Sequence, residues 1–181
     1  MKIIETSLPG VLVIEPRVFD DQRGFFMETY HLQRYKEAGI KDTFIQDNLS
    51  HSNKNVLRGL HYQRKHTQAK LVLVIKGVIF DVVVDIRPGS PRFGQWMGEE
   101  LSEHNSRQIY VPKGFAHGFC VLSDTADVLY KCSDFYRPDD EGGIIWCDPD
   151  IGIQWPVTAP LLSEKDGKYP GLRFIDLEKL P

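Results

Sequence analysis

The stretch "LVLVIKGVIFDVVVDI", residues 71–86, decides the fold class. Both of its halves are rich in β-branched residues, which favour β-strands. Lys76 and Gly77 stand between the halves, where a hairpin turn is expected. Because Lys76, Gly77 and Asp81 interrupt the apolar run, the segment cannot be an uninterrupted membrane span. It therefore predicts two buried strands.

Most of the remaining chain also has strand-like patterns separated by turn residues, which favours a β-sandwich or barrel. The exception is "HLQRYKEAGI" (31–40), where Leu32, Tyr35 and Ala38 have helical spacing and Gly39 ends the helix. Since no βα alternation, repeat or boundary is visible, residues 1–181 are predicted to form a single domain. The other strand-like runs are "GVLVIEPRVF" (10–19), "GFFMETY" (24–30), "TFIQDNLSHS" (43–52), "QWMGEEL" (95–101), "RQIYVP" (107–112), "GFCVL" (118–122) and "DVLYKCSDFY" (127–136).

Composition and charge exclude several classes of protein. The 181 residues are 41% hydrophobic and 26% charged, which is ordinary for a globular domain with a substantial core. A net charge of -3 gives no basic bias toward nucleic acid, and no secretory signal or membrane segment is visible. Cys120, Cys132 and Cys147 form no CxxC pair, which indicates a reducing, cytoplasmic setting.

"NVLRGLHYQ" (55–63) places two polar residues, Arg58 and His61, in an otherwise strand-like segment. Such residues are costly in a packed sheet unless they find partners. On a regular strand they would face opposite sides, since side chains alternate. Gly59 lies between them and permits a bulge. We therefore expect both side chains to face one pocket.

The alternation of strand side chains places further polar groups on shared faces. His117 lies between two phenylalanines of its own face and, taken alone, is more often a hydrogen-bonded core residue. Lys70 heads an apolar face, so it either extends to the rim or enters a cavity. A functional interpretation requires that both converge with His61 and Tyr130. The predicted faces are Phe115, His117 and Phe119 in one strand, and Tyr130, Cys132, Asp134 and Tyr136 in another.

"VPKGFAHGF" (111–119) contains P-x-G-x-x-H and resembles the second motif of the cupin superfamily. The first cupin motif normally supplies a His-x-His pair, but here "LHYQ" places Gln63 at the second histidine. Two histidines are too few for a well-held metal ion. The sequence is therefore predicted to be a cupin-like barrel without a metal, and a metal-dependent oxygenase is disfavoured.

Six segments, taken together and in order, resemble the dTDP-4-dehydrorhamnose 3,5-epimerase family. Cys147 and Phe135 depart from the family, which usually has Asn and Tyr there. The segments run from near residue 9 to residue 166, which is nearly the whole chain. They are "PGVLVIEPRVFDDQRGFFMETY", "FIQDNLSHS", "VLRGLHYQ", "VPKGFAHGFCVLSDTADVLYKCSDFY", "EGGIIWCDPDIGIQWP" and "LSEKD".

The resemblance implies an all-β, double-stranded β-helix (jelly-roll) with a few short helices. It also implies a homodimer in which part of the N-terminal region completes the neighbouring site. The implied substrate is dTDP-4-dehydro-6-deoxy-D-glucose, inverted at C3 and C5 of the sugar in dTDP-L-rhamnose biosynthesis. Both carbons lie next to the C4 ketone, so their protons are acidified by enolate formation. No redox cofactor and no metal are required.

The resemblance also assigns four catalytic residues. His61 is the base, and an imidazole suits proton abstraction near neutral pH. Asp166 of "LSEKD" orients it. Lys70 stabilises the enolate oxygen, and Tyr130 is the proton donor on the opposite face.

The nucleotide half of the substrate calls for other groups. Tyr136 is implied as the shelf for thymine, with Phe26 a weaker candidate. Arg23 and Arg58 suit a diphosphate because guanidinium groups bind phosphate in a bidentate way. Arg23 and Glu28 are implied to complete the neighbour's site. The predicted substrate-binding residues are Arg23, Phe26, Glu28, Gln46, Asp47, Asn48, Arg58, His117, Tyr136, Glu141 and Lys165.

Two alternatives stay open. The first is a related enzyme on the same scaffold, either an epimerase acting at one carbon or a ketoisomerase of nucleotide sugars. The second is a non-enzymatic sugar- or metal-binding cupin. The joint presence of "RGLH", Lys70 and "EKD" disfavours the second, since a binder needs no base, enolate partner and orienting acid together.

Overall fold

Two antiparallel sheets make up most of the structure, a computed structural model that describes residues 1–181. The chain forms thirteen strands, one α-helix and four 3₁₀ helices. None of the helices is long and apolar enough to cross a membrane. The strands are β1 (Lys2–Glu5), β2 (Leu12–Glu15), β3 (Val18–Asp21), β4 (Gly24–Met27), β5 (Gln46–Asn53), β6 (Leu57–Gln63), β7 (Lys70–Lys76), β8 (Val78–Asp85), β9 (Trp96–Ser102), β10 (Gln108–Val111), β11 (Phe115–Val121), β12 (Thr125–Cys132) and β13 (Glu141–Gly143). Helix α1 is Leu32–Glu37, and the 3₁₀ helices are Pro138–Asp140, Asp166–Lys168, Leu172–Phe174 and Leu177–Lys179.

The order of strands in the two sheets defines the architecture. The larger sheet has the order β1-β2-β10-β7-β12-β5, the smaller one β13-β6-β11-β8-β9, and β3 and β4 form a separate hairpin. From β5 to β13 the chain passes back and forth between the two sheets, and only β8 and β9 are consecutive strands of one sheet. This alternation is that of a jelly-roll, so the predicted all-β double-stranded β-helix is confirmed.

The central core lies between the inner faces of the two sheets. Val72 and Val74 of β7 share one buried cluster with Val83 of β8 and Phe119 of β11. A fully buried aliphatic side chain contributes about 1.5–3 kcal/mol to the free energy of folding. The alternate residues of β7 thus hold the two sheets together, and Lys70 stands at the end of the same inner face.

Lys76 and Gly77 do not form the hairpin turn that the sequence predicts. Strand β7 pairs with β10 and β12, whereas β8 pairs with β11 and β9. Gly77 has a φ of 83°, and the carbonyl of Thr125 occupies the space that a side chain would need. The turn therefore carries the chain from one sheet to the other. A tight turn favours glycine both in a hairpin and in a crossing between sheets. The glycine therefore does not indicate which strand pairs with β7.

Other predictions differ in part from the structure. The predicted strand 127–136 ends at Cys132, so Asp134 and Tyr136 lie in the following loop. The predicted strand 24–30 ends at Met27. Helix α1 forms where predicted and buries Tyr35, but Leu32 is exposed. One turn and a half of helix is too short to bury a full apolar stripe.

The segment after β13 packs on the outer face of the smaller sheet. Leu172 belongs to a buried cluster with Leu60 and Val82 of that sheet. The amide of Leu172 donates to the buried carboxylate of Asp148 at 2.6 Å. The amide of Ile145 donates to the Pro170 carbonyl at 3.0 Å. These contacts fix the tail, including the 3₁₀ helix Asp166–Lys168, beside β6.

Candidate active site

A cavity of about 550 Å³ lies between the inner faces of the two sheets. Strands β5, β7 and β12 supply one wall, and β6 and β11 supply the other. Eleven of the predicted site residues line it. They are Gln46, Asn48, Arg58, His61, Lys70, His117, Tyr130, Tyr136, Glu141, Lys165 and Asp166.

A bulge in β6 brings Arg58 and His61 to this cavity, as Gly59 predicts. His61 is opposite His117 and Arg58 is opposite Phe119, so β6 has one residue more than β11 over this interval. Gly59 has a φ of 114°, and a Cβ there would lie 2.6 Å from the Cα of Gly118. Only glycine allows the two strands to approach this closely, and the extra residue removes the usual alternation of faces.

His61 is held by a carboxylate from the tail. Its Nε2 lies 2.6 Å from Oδ1 of Asp166, whose side chain is only 4% exposed. Its Nδ1 faces Glu141, with 3.9 Å to Oε1. Burial alone would raise the pKa of Asp166, but the hydrogen bond and charge of His61 lower that pKa below its ordinary value. In the neutral form of the imidazole, an ionised Asp166 accepts the Nε2 proton, and the lone pair is then on Nδ1.

A second imidazole–carboxylate pair stands beside the first. His117, the cross-strand neighbour of His61, has its Nε2 at 2.8 Å and 3.0 Å from the two oxygens of Asp81. Asp81 is completely buried on β8, and His117 is buried as well. The hydrogen bonds from one nitrogen fix the ring orientation, so Nδ1 of His117 is the atom that remains for another partner.

Lys70 enters the cavity rather than extending to the rim. Its neighbours in the sheet are Val111 on β10 and Cys132 on β12. Burial lowers the pKa of Lys70, and the charges of Cys132, Asp81 and Glu141 oppose this shift. A half-buried ammonium without a directly bonded carboxylate is a strong donor for any oxygen that enters the cavity.

Tyr130 and Ser50 lie on neighbouring strands of the same wall. Burial raises the pKa of the Tyr130 phenol, while Arg58 acts in the opposite direction. The phenol therefore keeps its proton at neutral pH. The hydroxyl of Ser50 lines the cavity and is the one buried side-chain polar atom without a hydrogen-bond partner.

The rim of the cavity is built around Glu141. Its Oε2 accepts a hydrogen bond from the Tyr136 hydroxyl at 3.0 Å and forms an ion pair with Lys165. The Tyr136 amide donates to the Gln46 side chain at 2.9 Å, and the Gln46 amide group donates to Asn48 at 3.0 Å. An aromatic ring, an ammonium and amide groups thus meet at one edge. No cluster of three or more His, Cys, Asp or Glu side chains here or elsewhere is arranged to hold a metal ion.

The family model described as dTDP-4-dehydrorhamnose 3,5-epimerase matches residues 5–173. The chain belongs to this family. A Shigella flexneri dTDP-4-dehydrorhamnose 3,5-epimerase is 53% identical, with 98% of each chain covered. A Neisseria gonorrhoeae relative of the same name is 58% identical over 92% of this chain, which spans 51% of that relative's length. The structure of the Legionella pneumophila Philadelphia 1 dTDP-6-deoxy-D-glucose-3,5-epimerase, in complex with dTDP-4-keto-L-rhamnose, superposes with a TM-score of 0.97 at 53% identity, covering 99% of this chain and 97% of that one.

Four residues predicted from the epimerase family do not line the cavity. Arg23 is exposed and forms an ion pair with Asp21, and Phe26 is 69% exposed on the β3–β4 hairpin. Glu28 forms an ion pair with Arg34. Asp47 forms an ion pair with Lys131 on the outer face of the larger sheet. In this single chain they therefore reach no part of the cavity.

Several residues at the site were not predicted, and three of them are described here. Asp81 binds His117, Ser50 faces the cavity, and the ring of Tyr169 packs against His61. Asp81 had a visible signal, because an aspartate inside the buried run "VIFDVVVDI" needs a partner. Tyr169 had none, since it follows the last segment that resembles the epimerase family.

Proposed function

We propose that this protein is a dTDP-4-dehydrorhamnose 3,5-epimerase that converts dTDP-4-dehydro-6-deoxy-D-glucose to dTDP-4-dehydro-L-rhamnose. The observation that carries the proposal is the His61–Asp166 pair in a cavity that also contains Lys70 and Tyr130. Membership of the epimerase family supplies the substrate class. The presence of an imidazole, an ammonium and a phenol in one cavity supports the proposal, because inversion next to a ketone requires a base, a cation and a proton donor.

Proton abstraction is assigned to Nδ1 of His61. The C3–H bond breaks, its proton passes to Nδ1, and its electron pair forms the enolate with charge on the C4 oxygen. Asp166 stabilises the resulting imidazolium through the Nε2 hydrogen bond of 2.6 Å. Because that carboxylate is buried, its charge is little screened by water.

Lys70 and Tyr130 complete the inversion. The Lys70 ammonium donates to the enolate oxygen and stabilises its charge. The Tyr130 hydroxyl gives its proton to the carbon from the opposite face, and Arg58 stabilises the phenolate that remains. The imidazolium then returns its proton to the phenolate by way of solvent. The same steps at C5 give the doubly inverted sugar.

The rim suits the nucleotide. Tyr136 offers an aromatic face for thymine, since base stacking on aromatic rings is favourable. Arg58 and Lys165 offer positive charge to the diphosphate, and the amides of Gln46 and Asn48 offer donors and acceptors to polar edges. The unpartnered hydroxyl of Ser50, deeper in the cavity, is suited to a polar atom of the sugar.

Isotope exchange tests the proposed reaction. The protein is incubated with the 4-keto sugar nucleotide in deuterated water, and C3 and C5 are followed by NMR. We expect deuterium at both carbons, because each passes through an enolate that is reprotonated from solvent-derived hydrogen. Exchange at one carbon would identify a one-carbon epimerase instead. Binding without exchange would contradict the proposal and favour a sugar-binding cupin.

The N-terminal hairpin is the part of the proposal that involves a second copy of the chain. Phe25 and Phe26 on β4 are 64% and 69% exposed, which is an unusually large exposed apolar surface for one short strand. We infer a homodimer in which this hairpin lies against the partner and brings Arg23, Phe26 and Glu28 to the neighbouring cavity. We further propose that residues 1–181 act as a single domain in the cytoplasm, where three unpaired cysteines suit a reducing compartment.

Phe26→Asp tests this arrangement. We expect the variant to shift toward monomer in sedimentation equilibrium and to bind dTDP more weakly, because the hairpin would no longer bury its apolar face. Phe174→Asp is the matched control, since Phe174 is 71% exposed on the tail. An unchanged association constant for Phe26→Asp would contradict the hairpin's role.

A further inference from the structure

Tyr169 contacts the proposed catalytic imidazole from outside the cavity. The ring centroids of Tyr169 and His61 are 5.8 Å apart, and the rings meet edge to face at 71°. Tyr169 is not among the residues that line the cavity. Its ring therefore packs on His61 without lining the space where substrate would lie.

The backbone at Gly143 makes room for this ring. Strand β13 pairs with β6 so that Gly143 is opposite His61. A Cβ added to Gly143 would lie 2.5 Å or less from three ring atoms of Tyr169. The tyrosine ring is thus seated directly on a glycine that neighbours the imidazole, and a larger residue at 143 would displace the ring.

One turn of the tail supplies two groups that contact His61. Asp166 begins the 3₁₀ helix Asp166–Lys168, and Tyr169 follows that helix directly. The carboxylate binds Nε2 at 2.6 Å, while the phenol ring packs on the imidazole. Burial raises the pKa of Tyr169 to about 12. Its ring is therefore neutral at working pH and acts on the imidazole by packing.

We propose that Tyr169 is a positioning residue that holds the His61 ring with Nε2 on Asp166 and Nδ1 toward the cavity. A hydrogen bond to one atom leaves the imidazole free to pivot about that contact, and the edge-to-face ring removes this freedom. The proposal rests on the proposed function, because it concerns the same base. The tail would thus fix the orientation of the imidazole ring, which the Asp166 carboxylate alone does not do.

Paired substitutions separate packing from hydrogen bonding. Tyr169→Leu should slow exchange at C3 and C5 by about 10- to 100-fold, since small misplacements of a reacting group cost this much. Tyr169→Phe keeps the ring and should restore the rate to within about threefold of the natural protein. The Kd for dTDP should be the same in both variants, since both lack the hydroxyl that interacts with Lys165. Phe174→Leu, which removes an exposed aromatic from the same tail, is the matched control.

Gly143→Ala tests the same contact between Tyr169 and His61 by changing the backbone position on which the tyrosine ring packs. It should slow exchange as Tyr169→Leu does, because the new methyl group displaces the ring. The double variant should be no slower than Tyr169→Leu alone, since the two changes act through one contact. Additive losses would contradict a shared mechanism.

Nitrogen-15 NMR of the His61 ring gives a readout that does not depend on turnover. We expect a single neutral tautomer with the proton on Nε2 in the natural protein and in Tyr169→Phe, and averaged signals in Tyr169→Leu. If the natural protein shows no isotope exchange, the proposed function fails while the NMR result still decides the positioning role. If Tyr169→Leu keeps both its exchange rate and its single tautomer, the positioning proposal is wrong.

Discussion

Replacing His61 with alanine is expected to lower kcat by about 10²–10⁴-fold, the range that a general base contributes. The variant leaves Asp166 without its hydrogen-bond partner and removes the lone pair on Nδ1 that faces the cavity. The neighbouring His117 is paired with Asp81 through its Nε2 in the same way, so the variant also tests which of the two imidazoles is the base. The measurement is the initial rate of deuterium incorporation at C3 and C5.

Binding must be measured beside the rate. The residues that face the nucleotide lie at the rim, so the Kd of the His61→Ala variant for dTDP should change little. His104→Ala, at an exposed histidine outside the cavity, is the matched control and should keep the natural rate. A normal exchange rate in His61→Ala would show that another group is the base.

Replacing Lys70 with methionine is expected to lower kcat by about 10²–10³-fold, the usual cost of losing an oxyanion donor. Methionine nearly preserves the length and the apolar stem of the side chain, so the fold of β7 should persist. The lost group is the ammonium in the cavity that would meet the C4 oxygen. Lys76→Met, at the exposed end of the same strand, is the matched control.

The pH dependence gives an independent check on Lys70. Burial lowers its pKa, so the ammonium form is lost at a lower pH than for an ordinary lysine. The pKa of Tyr130 is raised, so its phenol stays protonated over the pH range in which Lys70 loses its proton. The alkaline decline in kcat/KM should therefore begin below the ordinary pKa of lysine, and Lys70→Arg should move it upward. An alkaline limb that Lys70→Arg leaves in place would contradict this assignment.

The strands and the bulge beside His61 could be predicted because they depend on local chemistry, whereas a shared site for His61, Lys70 and Tyr130 was implied by the family resemblance. Gly59 between Arg58 and His61 predicts a bulge, and the bulge is present. Gly77 predicts a turn, but the partner of each strand depends on how two sheets close on each other. The sequence pattern around Gly77 contains nothing about that closure, which is why the hairpin prediction was wrong.

The remaining errors have the same origin. Tyr136 was assigned to a strand that ends at Cys132, yet its loop still brings it to the cavity through the Gln46 and Glu141 side chains. Arg23 and Phe26 lie on a hairpin that one chain leaves exposed, so their roles depend on a second chain and stay predictions. Tyr169 follows the segments with a family resemblance, and only the packed structure brings it to His61.

The distance in sequence between His61 and Asp166 has a consequence for biosynthesis. All thirteen strands precede the carboxylate that anchors the imidazole, and 105 positions separate the two partners. While the ribosome is still extending the polypeptide, both sheets can form around a histidine that nothing yet restrains. The site therefore becomes complete only after the tail that carries Asp166 has packed on the two folded sheets.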